Sequence, residues 1–148
     1  MSLTKRDNYA LTSGALAIGT TTSKAKTAKD ISYTINGRAY LKAATDDLFT
    51  LSGTTSTARQ VCVFWLYLDS AGTATVTQSA IKEASTSTST TTRYVAGGFS
   101  WPEVVDKALI GAIVITNAGS SFVPGTTALT SVATYINAAG EYGTPVAY

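Results

Sequence analysis

The residues that most often carry catalysis are scarce in this chain of 148 amino acids. It contains no histidine, which removes the usual general base near pH 7 and the commonest metal ligand. Its one cysteine, Cys62, lies in an apolar run over residues 61–66, where burial raises the pKa of a thiol and leaves it unreactive. We therefore expect no histidine-dependent nucleophilic site, no zinc site and no disulfide within the chain.

The carboxylates are the remaining candidates for acid–base chemistry. Glycosidases need two carboxyl groups at a defined separation, whereas the acids here are scattered and most fall at turns, where Asp is favoured for backbone hydrogen bonds. The candidates are Asp46, Asp47, Asp69, Glu83, Glu103 and Asp106. The adjacent pair Asp46 and Asp47 leaves a calcium site as a weak alternative. We predict that the protein is not an enzyme and that it has no catalytic residue, no metal and no cofactor.

Aromatic residues in loop-like sequence offer a binding function instead. Tyr94, Phe99, Trp101 and Tyr142 are of this kind, and aromatic faces can stack on carbohydrate. The competing interpretation makes Trp101 and Phe99 an aromatic anchor that plugs the end of the fold or a subunit contact. We favour the anchor.

A β-hairpin is the strongest local signal. Ile31, Tyr33 and Ile35 alternate with polar residues, and the pair Asn36-Gly37 follows. Such a pair suits a type I′ turn, which needs positive φ at both positions. We predict a hairpin over residues 31–42.

The other strands are predicted from apolar runs bounded by turn residues. Both faces of residues 59–69 are apolar, which indicates a central strand covered on each side. Gly111, inside the apolar run 108–116, indicates a bulge or a close backbone approach. The further predicted strands are 15–18, 48–51, 73–78 and 131–137. Residues 20–29 are interpreted as a polar connection, 104–107 as one helical turn, and the Ser/Thr run 85–92 as an exposed loop in preference to a polar edge strand.

Together these signals predict an all-β fold: a single-domain antiparallel β-sandwich or barrel-like structure with flexible N- and C-terminal arms. We expect an N-terminal arm at 1–14, a β-sandwich domain at 15–137 and a C-terminal tail at 138–148. A chain of this length normally forms one domain.

The charge pattern argues for assembly more than for nucleic acid. Charged residues make up 14% of the chain and the net charge is +2, too small to indicate nucleic-acid binding. Most of the basic residues lie in the first 42 positions, among them Lys24, Lys26 and Lys29, our candidate contact residues for an acidic partner surface. No apolar run approaches the roughly 20 residues of a membrane span, and no signal peptide is recognisable.

Several short motifs resemble those of small virion proteins of tailed bacteriophages. They are the Thr/Lys segment 20–28, the Tyr-x-Ile-x-Gly hairpin at 33–37, Ala-Ala-x-Asp-Asp at 43–47, and strands like those at 64–73, 110–115 and 122–129. The resemblance covers most of residues 15–136. The run 85–92 and the region of Trp101 do not take part in it.

The resemblance implies a structural protein of the virion, made in the host cytoplasm, of the capsid decoration or cement type. Its expected partner is the lattice of the major capsid protein, and we expect a homo-oligomer, for which a trimer is one arrangement. The alternative function is a receptor- or glycan-binding module of a phage fibre or tail that uses the loop aromatics.

Overall fold

The all-β prediction is confirmed. The structure is a computed structural model that describes residues 8–83, 104–117 and 119–138. About half of these residues are in strands and none is in a helix. The described strands form two mostly antiparallel sheets, and within the described residues these sheets do not close into a barrel. The segment 85–92 lies outside the described residues, so its interpretation as a loop stays a prediction.

Eight strands build the large sheet. They are β1 (Tyr9–Ala10), β4 (Ile31–Ile35), β5 (Arg38–Lys42), β7 (Gln60–Asp69), β8 (Ala74–Gln78), β9 (Lys82–Glu83), β10 (Lys107–Thr116) and β11 (Ala133–Asn137). Their order is β5-β4-β1-β10-β7-β8, with β11 also paired to β10 and β9 also paired to β7. The small sheet contains β2 (Leu16–Ile18), β3 (Lys24–Thr27) and β6 (Phe49–Thr50) in the order β2-β3-β6.

The two ten-residue strands β7 and β10 form the centre of the large sheet. They pair antiparallel from Lys107↔Asp69 to Thr116↔Val61. The eight inner residues of each strand are buried, as predicted for a central strand with two apolar faces. Burying one large apolar side chain contributes roughly 1.5–3 kcal/mol, so this pair supplies much of the stability of the fold.

Each face of the large sheet carries its own apolar cluster. On one face, side chains such as Phe64, Leu66 and Ile113 pack with Ala25 and Phe49 of the small sheet, so this cluster is shared by both sheets. On the other face, the second cluster contains residues of the central strands, with Val104, Ile136 and Ala138 beside them. The predicted C-terminal tail therefore begins with a buried residue, since Ala138 is 4% exposed.

The hairpin over 31–42 forms as predicted. β4 and β5 pair from Ile31↔Lys42 to Ile35↔Arg38. Asn36 and Gly37 have φ angles of 52° and 77°, the positive values that a type I′ turn requires.

Three local predictions were wrong. Residues 20–29 contain strand β3, whose Ala25 and Thr27 are buried while its lysines alternate outward. Residues 9–10 of the predicted N-terminal arm form β1, which lies between β4 and β10. Residues 104–107 form a turn with Asp106 at φ 60°, not a helical turn, and β10 begins at Lys107. For β1 the pairing partners lie far away in the sequence, so the local pattern gave little warning.

Gly111 marks the point where β10 changes partner. Before it, Leu109 is opposite Tyr9 of β1; from Gly111 onward, β10 faces β11. The register with β7 shifts between the same two residues, which confirms the predicted bulge. A Cβ at Gly111 would stand 2.3 Å from the carbonyl oxygen of Ile136 and 2.5 Å from Cδ1 of Leu16, so the close backbone approach is also present.

We expect Gly111→Ala to lower the free energy of unfolding by about 1–3 kcal/mol, because a methyl group here forces β10 away from β11 or displaces Leu16. Chemical denaturation of the two proteins measures the difference. Gly119→Ala is the matched control, since nothing lies within 4 Å of a Cβ at Gly119. Equal stability of wild type and Gly111→Ala would show that the tight approach is not a packing constraint.

Candidate binding surfaces

Lys24 and Lys26 lie on the outer face of the small sheet. They alternate with buried Ala25 and Thr27 in β3, and the register places Lys24 opposite Thr50 and Lys26 opposite Ala17. Lys29 is exposed in the loop after β3. The structure therefore brings Lys24 and Lys26 together on one strand face, with Lys29 in the loop just beyond its end.

Asp46 and Asp47 hold the loop between β2 and β3. The Thr20 N–H donates to Oδ1 of Asp46 at 3.0 Å, and the Thr21 N–H donates to Oδ1 of Asp47 at 3.0 Å. The Thr21 hydroxyl donates to the second oxygen of Asp47. A Cβ at Gly19 would stand 2.2 Å from Oδ1 of Asp47, so the loop can approach this carboxylate only with glycine there.

These hydrogen bonds give the acidic pair a structural role, because they tie the loop between β2 and β3 to the segment before β6. Among the residues that the structure describes, no group of three or more Cys, Asp and Glu side chains is placed to hold a metal ion. The pKa of Asp46 is lowered, first by hydrogen bonds from the side chain and the backbone of Thr20, with a smaller contribution from the charge of Lys26.

Strand β5, at the edge of the large sheet, is the most exposed of the described strands. Arg38, Ala39 and Leu41 are exposed, and the Leu41 side chain is 69% accessible. Leu41 is opposite Ser32, and Leu11, itself 44% exposed, donates its N–H to the Ser32 carbonyl on the other side of β4. Residues directly opposite each other point to the same face of a sheet, so the exposed Leu41 side chain lies on the face of Ser32.

A polar pocket opens where three turns of the large sheet meet. It has a volume of about 520 Å³ and is lined by Ile35, Asn36, Arg38, Tyr40, Ser70 and Asp106. The Tyr33 hydroxyl of β4 donates to the Asp69 carbonyl of β7 at 2.7 Å, although β1 and β10 lie between these strands, which indicates that the sheet is curved here. Burial is the main reason that the pKa of Tyr33 is raised. Nothing in the sequence pattern indicated this pocket, since its residues come from three separate segments.

Cys62 is buried within the first cluster, as predicted. Desolvation raises the pKa of its thiol, which keeps it in the unreactive protonated form at neutral pH. Phe99 and Trp101, the predicted aromatic anchor, lie outside the described residues, as do Tyr94 and Tyr142. Their roles stay predictions.

Comparison with sequence models of protein families, with curated proteins and with solved structures finds no match for this chain. Within 8–83, 104–117 and 119–138, no helix has the length and apolar character needed to cross a bilayer.

The hydrogen bonds to Asp46 predict a specific loss of stability in acid. Its pKa is lower in the folded protein than its ordinary value of 3.8, so its contribution is complete above that value and is lost as the pH falls through the folded pKa. We expect the difference in free energy of unfolding between wild type and Asp46→Asn to become smaller as the pH falls from 3.8 through the folded pKa. Urea unfolding at pH 6 and at successively lower pH measures it, and a difference that does not change with pH would contradict the assignment. Asp30→Asn, which removes another exposed carboxylate, is the control.

Proposed function

We propose that this protein is a non-enzymatic structural subunit of a tailed-bacteriophage particle, a decoration or cement protein that binds the head lattice and joins neighbouring capsid subunits. The sequence resemblance supplies the class of protein. The observation that carries the docking mode is the exposed edge at β5, where the apolar Leu41 side chain is mostly accessible to solvent.

The edge supports docking for two physical reasons. Among the described strands, β5 pairs only with β4, which leaves the backbone N–H and C=O groups of its other side open to a strand of a partner. A leucine that is mostly exposed gains free energy when a partner covers it.

The outer face of the small sheet is a second contact region under this proposal. Lys24 and Lys26 are held in position by the strand, and Lys29 follows at its end. Exposed charges contribute little singly. On a lattice, however, linked copies that bind repeated sites combine many weak contacts into tight attachment, which also motivates the proposed homo-oligomer.

Electron cryomicroscopy of the particle that carries the chain tests the location. Density over the head at lattice symmetry positions is the expected result. Density confined to a tail or fibre would overturn the decoration role and support the alternative, a receptor- or glycan-binding module that uses Phe99 and Trp101.

We expect Leu41→Ser to weaken binding to particles that lack the protein by about tenfold or more, because the buried area of one leucine is lost from the contact. Co-sedimentation with such particles measures occupancy. Thermal unfolding should change little, since the side chain is exposed in the free protein. Val123→Ser, which removes an exposed apolar side chain in the turn before Pro124, is the control. Unchanged occupancy for Leu41→Ser would exclude the β5 edge as the contact.

The lysine surface makes a separate prediction. Alanine at Lys24, Lys26 and Lys29 together should reduce occupancy most at low salt and flatten its dependence on salt, because exposed charge pairs are screened by ions. Occupancy measured over a range of salt concentrations provides the readout, with Arg59→Gln as a charge-removing control outside the small sheet. If occupancy at low salt equals that of wild type, these lysines do not contact the capsid.

A further inference from the structure

The pocket at the meeting point of the three turns has no part in the proposed capsid contact. We infer that it is a binding site for a single saccharide unit. The side chains that line the pocket support this assignment, wherever on a particle the protein is located.

The framework of the pocket is fixed before a ligand arrives. The side-chain amide of Asn36 donates to Oδ1 of Asp106 at 2.8 Å, and the Asn36 backbone N–H donates to the side chain of Asn8 at 2.8 Å. The hairpin turn is therefore tied both to the turn before β10 and to the residue before β1. Asn36 and Asp106 both have positive φ, which these two residue types tolerate better than most. A site that is already ordered loses less entropy when it binds.

Several polar groups in the pocket are available to a ligand. Within the described part of the chain, no hydrogen bond or ion pair occupies the Arg38 guanidinium, the Tyr40 hydroxyl or the Ser70 hydroxyl. Asp106 uses one carboxylate oxygen for Asn36 and retains the other. The guanidinium only donates hydrogen bonds, the carboxylate only accepts them, and the two hydroxyls do both.

The opposite charges of Arg38 and Asp106 indicate which class of ligand the pocket would bind. An isolated anion would be attracted by Arg38 but repelled by Asp106. An isolated cation would be attracted by Asp106 but repelled by Arg38. A neutral molecule with many hydroxyl groups satisfies both, because each hydroxyl donates to the carboxylate or accepts from the guanidinium. Hydrogen bonds that involve a charged group are about twice as strong as neutral ones.

Tyr40 and Ile35 supply the apolar wall that a sugar ring also needs. Tyr40 is half-buried and stacks on Tyr33, with ring centroids 5.6 Å apart. That stacking holds the ring of Tyr40 at the pocket wall, where it can pack against the C–H groups of a pyranose. The volume of about 520 Å³ lies within the range of roughly 300–1,000 Å³ typical of small-molecule sites.

The test is a titration of the full ¹⁵N-labelled chain with methyl glycosides of the common hexoses, N-acetylhexosamines and uronic acids, followed by NMR. We expect at least one glycoside to shift the backbone amides of residues 35–40, 70 and 106 with a saturating, millimolar dependence. Arg38→Ala should weaken that binding about tenfold through loss of charged hydrogen bonds. Asp106→Asn should weaken it severalfold while keeping the turn, because Asn tolerates the same backbone conformation.

Arg59→Gln is the control, since it removes an exposed positive charge that does not line the pocket. Unchanged binding in Arg38→Ala, or shifts confined to other residues, would overturn the site. So would a panel in which no glycoside shifts these amides. Inorganic sulfate is titrated in parallel, and stronger shifts with sulfate than with every glycoside would make this an anion site and overturn the saccharide assignment.

Discussion

Everything else in this protein depends on the pairing of two long strands that are apolar on both faces. β7 and β10 align over ten residues each, and their inner residues are buried on either side of the sheet. A sheet with two apolar faces must be covered on both. One cover is the small sheet, whose Ala25 and Phe49 are completely buried in the shared cluster. The proposed functional surfaces therefore lie at the sheet edge, on the outer face of the small sheet and at the turns.

The bulge at Gly111 allows one side of β10 to pair with two different strands. One side of β10 must accept two different strands, β1 at its start and β11 along the rest. A change of register at the junction allows both, and only glycine leaves room for the Ile136 carbonyl there. Asn137 then adds a link to the small sheet, because its side-chain oxygen accepts the Leu16 N–H at 2.9 Å. β10 therefore changes its partner strand close to the point where the large sheet is hydrogen-bonded to the small sheet.

The curl of the large sheet connects the core with the proposed saccharide site. The hairpin β4–β5 is at one edge of the sheet and the turn between β7 and β8 is several strands away, yet Tyr33 reaches the Asp69 carbonyl. Lys42 also lies against Gly72, whose Cβ position is 3.3 Å from the lysine Cδ. The pocket is the space left at the mouth of this curved face. The β5 edge remains open beside it, so the two proposed surfaces share a hairpin but use different atoms.

Elements with local signals were predictable from the amino-acid sequence. The Asn36-Gly37 turn needs positive φ at two successive residues, and the alternation around it defines the hairpin without reference to the rest of the chain. The two-faced apolar runs likewise identify the central strands, and the single glycine inside one of them identifies the bulge. Cys62 was predictable as a buried and unreactive thiol for the same reason.

The tertiary structure alone decided what depends on distant partners. β1 is two residues long and exists because β4 and β10 offer hydrogen bonds on either side. β3 alternates lysine with small residues, a weak apolar signal, and becomes a strand because Ala25 packs in the shared core. Asp46 and Asp47 resemble a metal site in the sequence but bind backbone N–H groups some 26 residues away. The pocket assembles from three turns brought together by the curl of the sheet, and no local pattern encodes that curvature.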